Sequence, residues 1–244
     1  AGASNVAVGS EALSSNTTAS YNTSVGQLSM NDNTTGQENT VVGYNALANN
    51  TTAHYNTAVG ASALAANTTG TRNVAVGYAA LDAATTASDN TYVGSGAGSA
   101  NTSGDHNTGI GQASMDELTT GANNTAVGSK SLSGVVTGDS NTAVGVSALV
   151  GNTSGASNVA MGLNALYTNT TGSNNVALGG SAMYYNTTAD ANTAIGYAAL
   201  NANTTGHSNV AFGAYALDAN TTTNHGTALG YNALTTNITG AANT

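Results

Sequence analysis

The chain has 244 residues, a formal net charge of −9, only 5% charged residues, and no Pro, Cys or Trp. Arg72 and Lys130 are its only basic residues, so the sequence cannot neutralise a run of phosphates, which argues against nucleic-acid binding. No apolar run approaches the ~20 residues of a membrane-spanning helix, so we expect no membrane insertion.

A 17-residue repeat runs through the sequence without insertion or deletion. We number each repeat from an Asn, so that the consensus reads Asn-(Thr/Val)-Ala-Val-Gly-x-x-Ala-Leu-x-x-Asn-Thr-Thr-(Gly/Ala)-x-x. Gly226 is the one interruption of the first-position Asn series. A repeat of this length is too short for a helical solenoid and predicts one coil of a β-solenoid. We therefore expect an all-β parallel β-solenoid, or β-roll, of about 14 coils, with residues 1–244 as a single uncapped array.

Within each coil, the pattern predicts a strand at Asn-Thr-Ala-Val, a turn at Gly, a second strand around Ala-Leu, and a turn at Asn-Thr-Thr-Gly. Position 5 is Gly in all 14 complete repeats, which indicates a corner with a positive φ or a close chain approach. These structural corner glycines are Gly9, Gly26, Gly43, Gly60, Gly77, Gly94, Gly111, Gly128, Gly145, Gly162, Gly179, Gly196, Gly213 and Gly230.

Two positions of each coil are predicted to point inward. Position 4 is always apolar, and position 9 is Leu or Met everywhere except Gly98. The predicted core therefore includes Val8, Val25, Val42, Val59, Leu47, Leu64, Leu200 and Leu217. The position 8 Ala and the position 9 Leu are expected on opposite sides of the second strand, one filling the coil and the other facing a partner chain.

Asparagine at positions 1 and 12 is expected to form ladders, because stacked coils place identical amides above one another. The position 1 ladder is predicted to include Asn22, Asn39, Asn56, Asn73, Asn90, Asn107, Asn124 and Asn141. Such ladders explain recurrent Asn without a catalytic role.

One Val and one Leu per coil bury little apolar surface against the entropy of ordering 17 residues. A second apolar interface would add burial, which favours self-association along the repeats. Residues 1–4 and 243–244 are partial repeats without caps, so we also expect a segment of a longer fibre or end-to-end stacking.

The sequence offers no recognisable catalytic motif, so we expect no enzyme activity, cofactor or metal. Each His falls at position 16 or 17 of a separate repeat, which is typical of solvated turn residues. The tyrosines that share position 6 either pack at a corner or interface or stack on sugars. They are Tyr44, Tyr78, Tyr197 and Tyr231.

The motif Asn-(Thr/Val)-Ala-Val-Gly, as at residues 5–9, 56–60, 73–77, 124–128 and 141–145, resembles the coil signature of trimeric autotransporter adhesin heads. The longer phrase Asn-Thr-Ala-Val-Gly-Tyr-x-Ala-Leu-x-x-Asn-Thr-Thr-Gly is similar to repeats of phage tail-fibre proteins. The resemblance implies a homotrimeric β-roll on a cell surface or virion that serves attachment.

Two functions follow as hypotheses. In the first, an extracellular fibre segment presents variable residues to a cell-surface receptor or glycan. Its expected contact residues are Tyr184, Tyr185, Asp116, Glu117 and His207. In the second, the Thr pairs at positions 13 and 14 order water on an ice-binding face, although adjacent strand residues point to opposite sides.

Overall fold

The computed structural model describes residues 2–134, 137–238, 240 and 243, in two compact units formed by residues 1–122 and 123–244. Within the described residues, the secondary structure consists of one three-residue strand per repeat, and helices are absent. The strands are Val6–Val8 (β1), Thr23–Val25 (β2), Thr40–Val42 (β3), Thr57–Val59 (β4), Val74–Val76 (β5), Thr91–Val93 (β6), Thr108–Ile110 (β7), Thr125–Val127 (β8), Thr142–Val144 (β9), Val159–Met161 (β10), Val176–Leu178 (β11), Thr193–Ile195 (β12), Val210–Phe212 (β13) and Thr227–Leu229 (β14). The prediction of an all-β parallel solenoid is confirmed.

Within each unit, every strand except the last pairs in parallel with the strand one repeat further along the chain. Between β4 and β5, for example, Thr57 lies opposite Val74 and Ala58 opposite Ala75. The first unit pairs β1 to β7 in chain order, and the second pairs β8 to β14. The pairing therefore holds every coil at the 17-residue register that the sequence indicates.

The predicted second strand is wrong, because turns occupy positions 6 to 9 in every described coil and extend to position 11 in all but the coil that begins at Asn124. Positions 7 and 9 have left-handed backbone angles, as at Asn45 (φ 55°) and Leu47 (φ 48°). Hydrogen bonds still join the coils here, but in opposite directions. The Asn45 N–H donates to the carbonyl of Gln27 in the preceding coil, and the Leu47 N–H donates to that of Ala63 in the following coil.

The left-handed angle at position 9 brings two consecutive side chains into the coil. Alternation of side chains across a segment holds only for extended backbone, so Ala46 and Leu47 both lie fully buried. Leu64, Leu200 and Leu217 are buried in the same way. A left-handed Leu costs about 1–2 kcal/mol, and burying its side chain contributes about 1.5–3 kcal/mol.

The fourth position departs from the prediction, because its side chain points out of the coil. Val8 is 56% exposed and Val42 is 40% exposed, while Val25 and Val59 are half-buried. In a three-residue strand, positions 2 and 4 share one side and position 3 takes the other. The small residue at position 3, such as Ala58, is the one that is buried.

The corner glycines combine a positive φ with a close chain approach. All fourteen have φ between 122° and 146°, a region that L side chains rarely adopt. A Cβ added to Gly43 would lie 2.6 Å from the carbonyl carbon of Gly60, the corner glycine of the next coil. At this corner, backbone is stacked directly on backbone, so no side chain fits.

Buried amides complete the interior. The Asn73 side chain donates to the carbonyl of Ala87 in its own coil (2.7 Å) and to Oδ1 of Asn56 (3.2 Å), and that same oxygen accepts the Asn73 backbone N–H. Position 1 repeats this accepting bond from Asn5 to Asn107 in the first unit and from Asn124 to Gly226 in the second. The position 12 amides form a parallel ladder, as where Asn50 donates to Asn33 (2.7 Å).

One coil replaces the usual small interior residue with a tyrosine. Tyr92 occupies position 3 and is fully buried, and burial raises the pKa of its hydroxyl. Gly98 at position 9 and Gly109 at position 3 of the next coil make room for the ring, since a Cβ on either would lie 2.5 Å from it. This arrangement explains the one glycine in the position 9 series.

We expect Gly98→Leu, which restores the consensus residue, to destabilise the protein by about 3 kcal/mol through overpacking against Tyr92. Adding Tyr92→Ala and Gly109→Ala should recover most of that loss, because the three positions then match neighbouring coils. Chemical denaturation followed by circular dichroism measures both changes. Equal destabilisation by Gly98→Leu with and without the two alanine substitutions would contradict the coupling.

Removing one rung of the position 1 ladder should cost more than removing an exposed amide. Asn73→Ala leaves the backbone N–H of Asn90 and the carbonyl of Ala87 without their partner, so we expect a loss of about 2–4 kcal/mol. Asn49→Ala at exposed position 11 is the matched control and should change stability by less than about 0.5 kcal/mol. Thermal unfolding of both variants measures the two changes in stability. Similar losses of stability would show that the ladder stabilises the protein no more than an exposed amide does.

Candidate functional site

The outward side of the strands, which we call the strand face, consists of the side chains at positions 2 and 4. Position 2 is Thr or Val in every strand, and position 4 is always apolar. The position 4 row consists of Val8, Val25, Val42, Val59, Val76, Val93 and Ile110 in the first unit, and of Val127, Val144, Met161, Leu178, Ile195, Phe212 and Leu229 in the second. Each of these side chains is at least partly exposed to water. A continuous apolar row left in contact with water is typical of an interaction surface.

The threonines at positions 13 and 14 have different environments. Position 13 hydroxyls donate to the next coil, as from Thr34 to the carbonyl of Thr51 (2.9 Å) and from Thr170 to that of Thr187 (2.9 Å). The Thr or Ser at position 14 is exposed in every coil where it is described. The position 13 hydroxyls therefore bond to the backbone of the next coil even where their side chains reach the surface, whereas the position 14 side chains are exposed throughout the coils described.

Polar side chains at position 16 cap backbone groups of the preceding coil. Asp105 Oδ1 accepts the N–H of Ser88 (2.7 Å), and Asp190 Oδ1 accepts that of Ser173 (2.7 Å). His207 Nδ1 accepts the N–H of Asp190 in the same way (2.8 Å). His54 repeats the pattern, so these histidines have a structural contact that the sequence did not reveal.

A short column of charges lies at position 17. The guanidinium of Arg72 holds the carboxylate of Asp89 in a two-pronged contact, with Nη2 2.8 Å from Oδ2. His106 Nε2 lies 3.9 Å from the same oxygen. The hydrogen bond and the charge of Arg72 lower the pKa of Asp89. The pair is exposed, so its effect on stability is small.

A group of tyrosines gathers on positions 6 to 11 of the second unit. Tyr167 and Tyr184 stack with ring centroids 4.9 Å apart, and Tyr185 meets Tyr184 edge-on at 4.7 Å. Tyr197 and Tyr215 form another edge-on pair, with centroids 5.4 Å apart. A depression of 280 Å³ lies between these two groups. It is lined by Ser181, Tyr184, Tyr185, Tyr197, Ala198, Asn201 and Tyr215.

The predicted contact residues do not form one site. Tyr184 and Tyr185 lie together in the second unit, whereas Asp116 and Glu117 belong to the first. His207 lies at position 16, where it caps Asp190. Sequence reasoning missed Tyr167 and Tyr215, because they occupy positions 10 and 7 and share no column with the position 6 tyrosines.

The described residues give little support to other types of site. They contain no group of three or more His, Cys, Asp or Glu that could hold a metal ion. No helix in the described part of the chain is long and apolar enough to cross a membrane. A larger depression, of 480 Å³, is lined among the described residues by Tyr21 and Glu38.

Comparison of the chain with protein-family models, curated proteins and solved structures finds no match. The strand face and the tyrosine depression are therefore the two surfaces that bear on function.

Replacing Arg72 with Gln should raise the pKa of Asp89 towards its ordinary value of 3.8. Because the folded-state pKa of Asp89 is depressed, the ion pair contributes stability above the ordinary pKa and loses it as the pH falls through the folded pKa. An NMR titration of the carboxyl carbons measures both midpoints. An unchanged Asp89 midpoint in Arg72→Gln would show that the guanidinium is not the cause.

Proposed function

We propose that this chain is a structural segment of an extracellular attachment fibre, borne on a cell surface or virion, in which copies pack as a homotrimer through their strand faces. The observation that carries the proposal is the apolar row at position 4, which a lone chain leaves in water in every coil. The interior holds mostly Ala, Asn and one Leu or Met per coil, so the strand face is a main reserve of apolar surface.

A second copy of the chain fits this face better than an unrelated partner does. The strand faces of two copies both repeat once per coil, at the ~4.8 Å spacing of paired strands. Their apolar rows therefore match along their length. Charge also permits the contact. Every Asp, Glu, Lys and Arg lies at position 7, 10, 11, 16 or 17, which leaves positions 1 to 6 uncharged despite the net charge of −9.

The number three comes from the resemblance to trimeric adhesin heads. Three strand faces around one axis cover one another without an open edge, as closed cyclic symmetry requires. In such an assembly the strand face is internal, and the side chains of positions 7 to 17 that lie outside the coil interior stay exposed. Attachment then depends on the variable residues at those positions.

Ice binding is the second candidate. The observation that favours it is the regular strand face of outward Thr at position 2 beside apolar position 4, which a monomer would present to water. The position 13 and 14 pairs support it less, because position 13 hydroxyls bond to the next coil. A monomer that produces thermal hysteresis would favour this candidate over the fibre.

Light scattering after size exclusion should give a stable mass near three times 23.6 kDa at all concentrations tested. Val59→Thr, Val76→Thr, Val127→Thr and Val144→Thr together should shift the protein towards monomer, because Thr keeps the shape of Val but resists burial of its hydroxyl.

Val146→Thr and Val150→Thr provide the matched control, since these valines lie at positions 6 and 10, outside the strand face. The control should keep the mass of the parent protein. A parent protein that is monomeric, or a control that dissociates as readily as the strand-face variant, would refute self-association through this face.

A further inference from the structure

Tyrosines are concentrated in the coils around the depression of the second unit. Six of the 11 tyrosines of the chain fall between residues 167 and 231. Tyr231 extends the group, with its centroid 6.2 Å from that of Tyr215. Tyr197 is 56% exposed, and none of the tyrosine hydroxyls around the depression hydrogen-bonds to a described residue. Ring faces and hydroxyls are thus both available to a ligand.

The floor of the depression adds an oriented amide to the aromatic rings. Asn201 donates through Nδ2 to the carbonyl of Ser181 (2.8 Å), which fixes the direction of its side chain. Its Oδ1 accepts no hydrogen bond from a described residue, so it is placed to accept one from a ligand hydroxyl. Gly180 leaves space beside the ring of Tyr197, because a Cβ there would only just reach it, at 3.4 Å.

Charge narrows the class of ligand. No Lys or Arg follows Lys130 in the sequence, so no cation in these coils can pair with a carboxylate, sulfate or phosphate. Such a surface suits an uncharged, hydroxyl-rich molecule.

We propose that the tyrosine depression binds a neutral saccharide, with the apolar face of a pyranose ring against Tyr197 or Tyr185 and a hydroxyl donating to Asn201 Oδ1. Aromatic side chains with a polar tip suit a ligand that has both an apolar face and a hydroxylated rim. The depression of 280 Å³ lies just below the ~300–1,000 Å³ typical of ligand sites, which suits a small ligand such as a single sugar ring. This inference rests on the proposed attachment function and names its ligand class.

Saturation-transfer difference NMR on the full chain tests it with D-glucose, D-galactose, D-mannose, N-acetyl-D-glucosamine and the acidic sugar N-acetylneuraminic acid. We expect transfer to the ring C–H protons of at least one neutral sugar and none to the acidic one. Tyr197→Ala and Tyr185→Ala should each weaken the titrated affinity about tenfold. Tyr78→Ala is the matched control at position 6 in the first unit, 68% exposed and in no ring contact, and should leave affinity unchanged.

No transfer to any neutral sugar, preference for the acidic sugar, or equal loss in Tyr78→Ala would each overturn the proposal. The mass of every variant is measured alongside. Loss of the oligomer in Tyr197→Ala would instead make the patch a contact between copies, which also overturns saccharide binding. Saccharide binding by a monomeric protein would sustain this site and refute only the trimer.

Discussion

The buried asparagines at position 1 constrain each coil in which they occur, because an amide removed from water must find partners for its donor and acceptor atoms. Each amide donates to a carbonyl 14 residues later in its own coil and accepts from the Asn 17 residues later. These two spans fix both the circumference of a coil and its register on the next. A coil with one residue more or fewer would leave the amide donor and the amide acceptor without their partners. This explains why the sequence keeps its period through every repeat.

The amide ladders also determine what the rest of the coil does. Amides and position 3 and 8 alanines leave room for a single large apolar side chain, at position 9. Where Tyr92 departs from this pattern, a glycine in its own coil and another in the next coil leave space for its ring. The remaining apolar residues, above all those of position 4, are directed outward. An interior rich in amides thus leaves the strand face as the apolar surface available for association.

The period, the parallel pairing and the corner glycines could be predicted because each depends on a pattern that recurs at every coil. The direction of position 4 could not, because an apolar residue in every coil suits a coil interior and an interface between chains equally well. The prediction of a second strand was wrong for a related reason. Residues such as Leu47 adopt left-handed angles that nothing in their type indicates, and alternation no longer holds there. The tyrosine depression needed coordinates, because Tyr184, Tyr197 and Tyr215 come from three different columns.

The direction of the inter-coil hydrogen bonds has a mechanical consequence. Within each unit they run along the stacking direction, so a pull along that direction loads all the bonds of one junction together. When a junction gives way, it releases a single coil, whose 17 residues extend to about 56–61 Å from a rise of about 4.8 Å. A tether built this way lengthens in separate steps, each of which absorbs work while the coils beyond it stay folded.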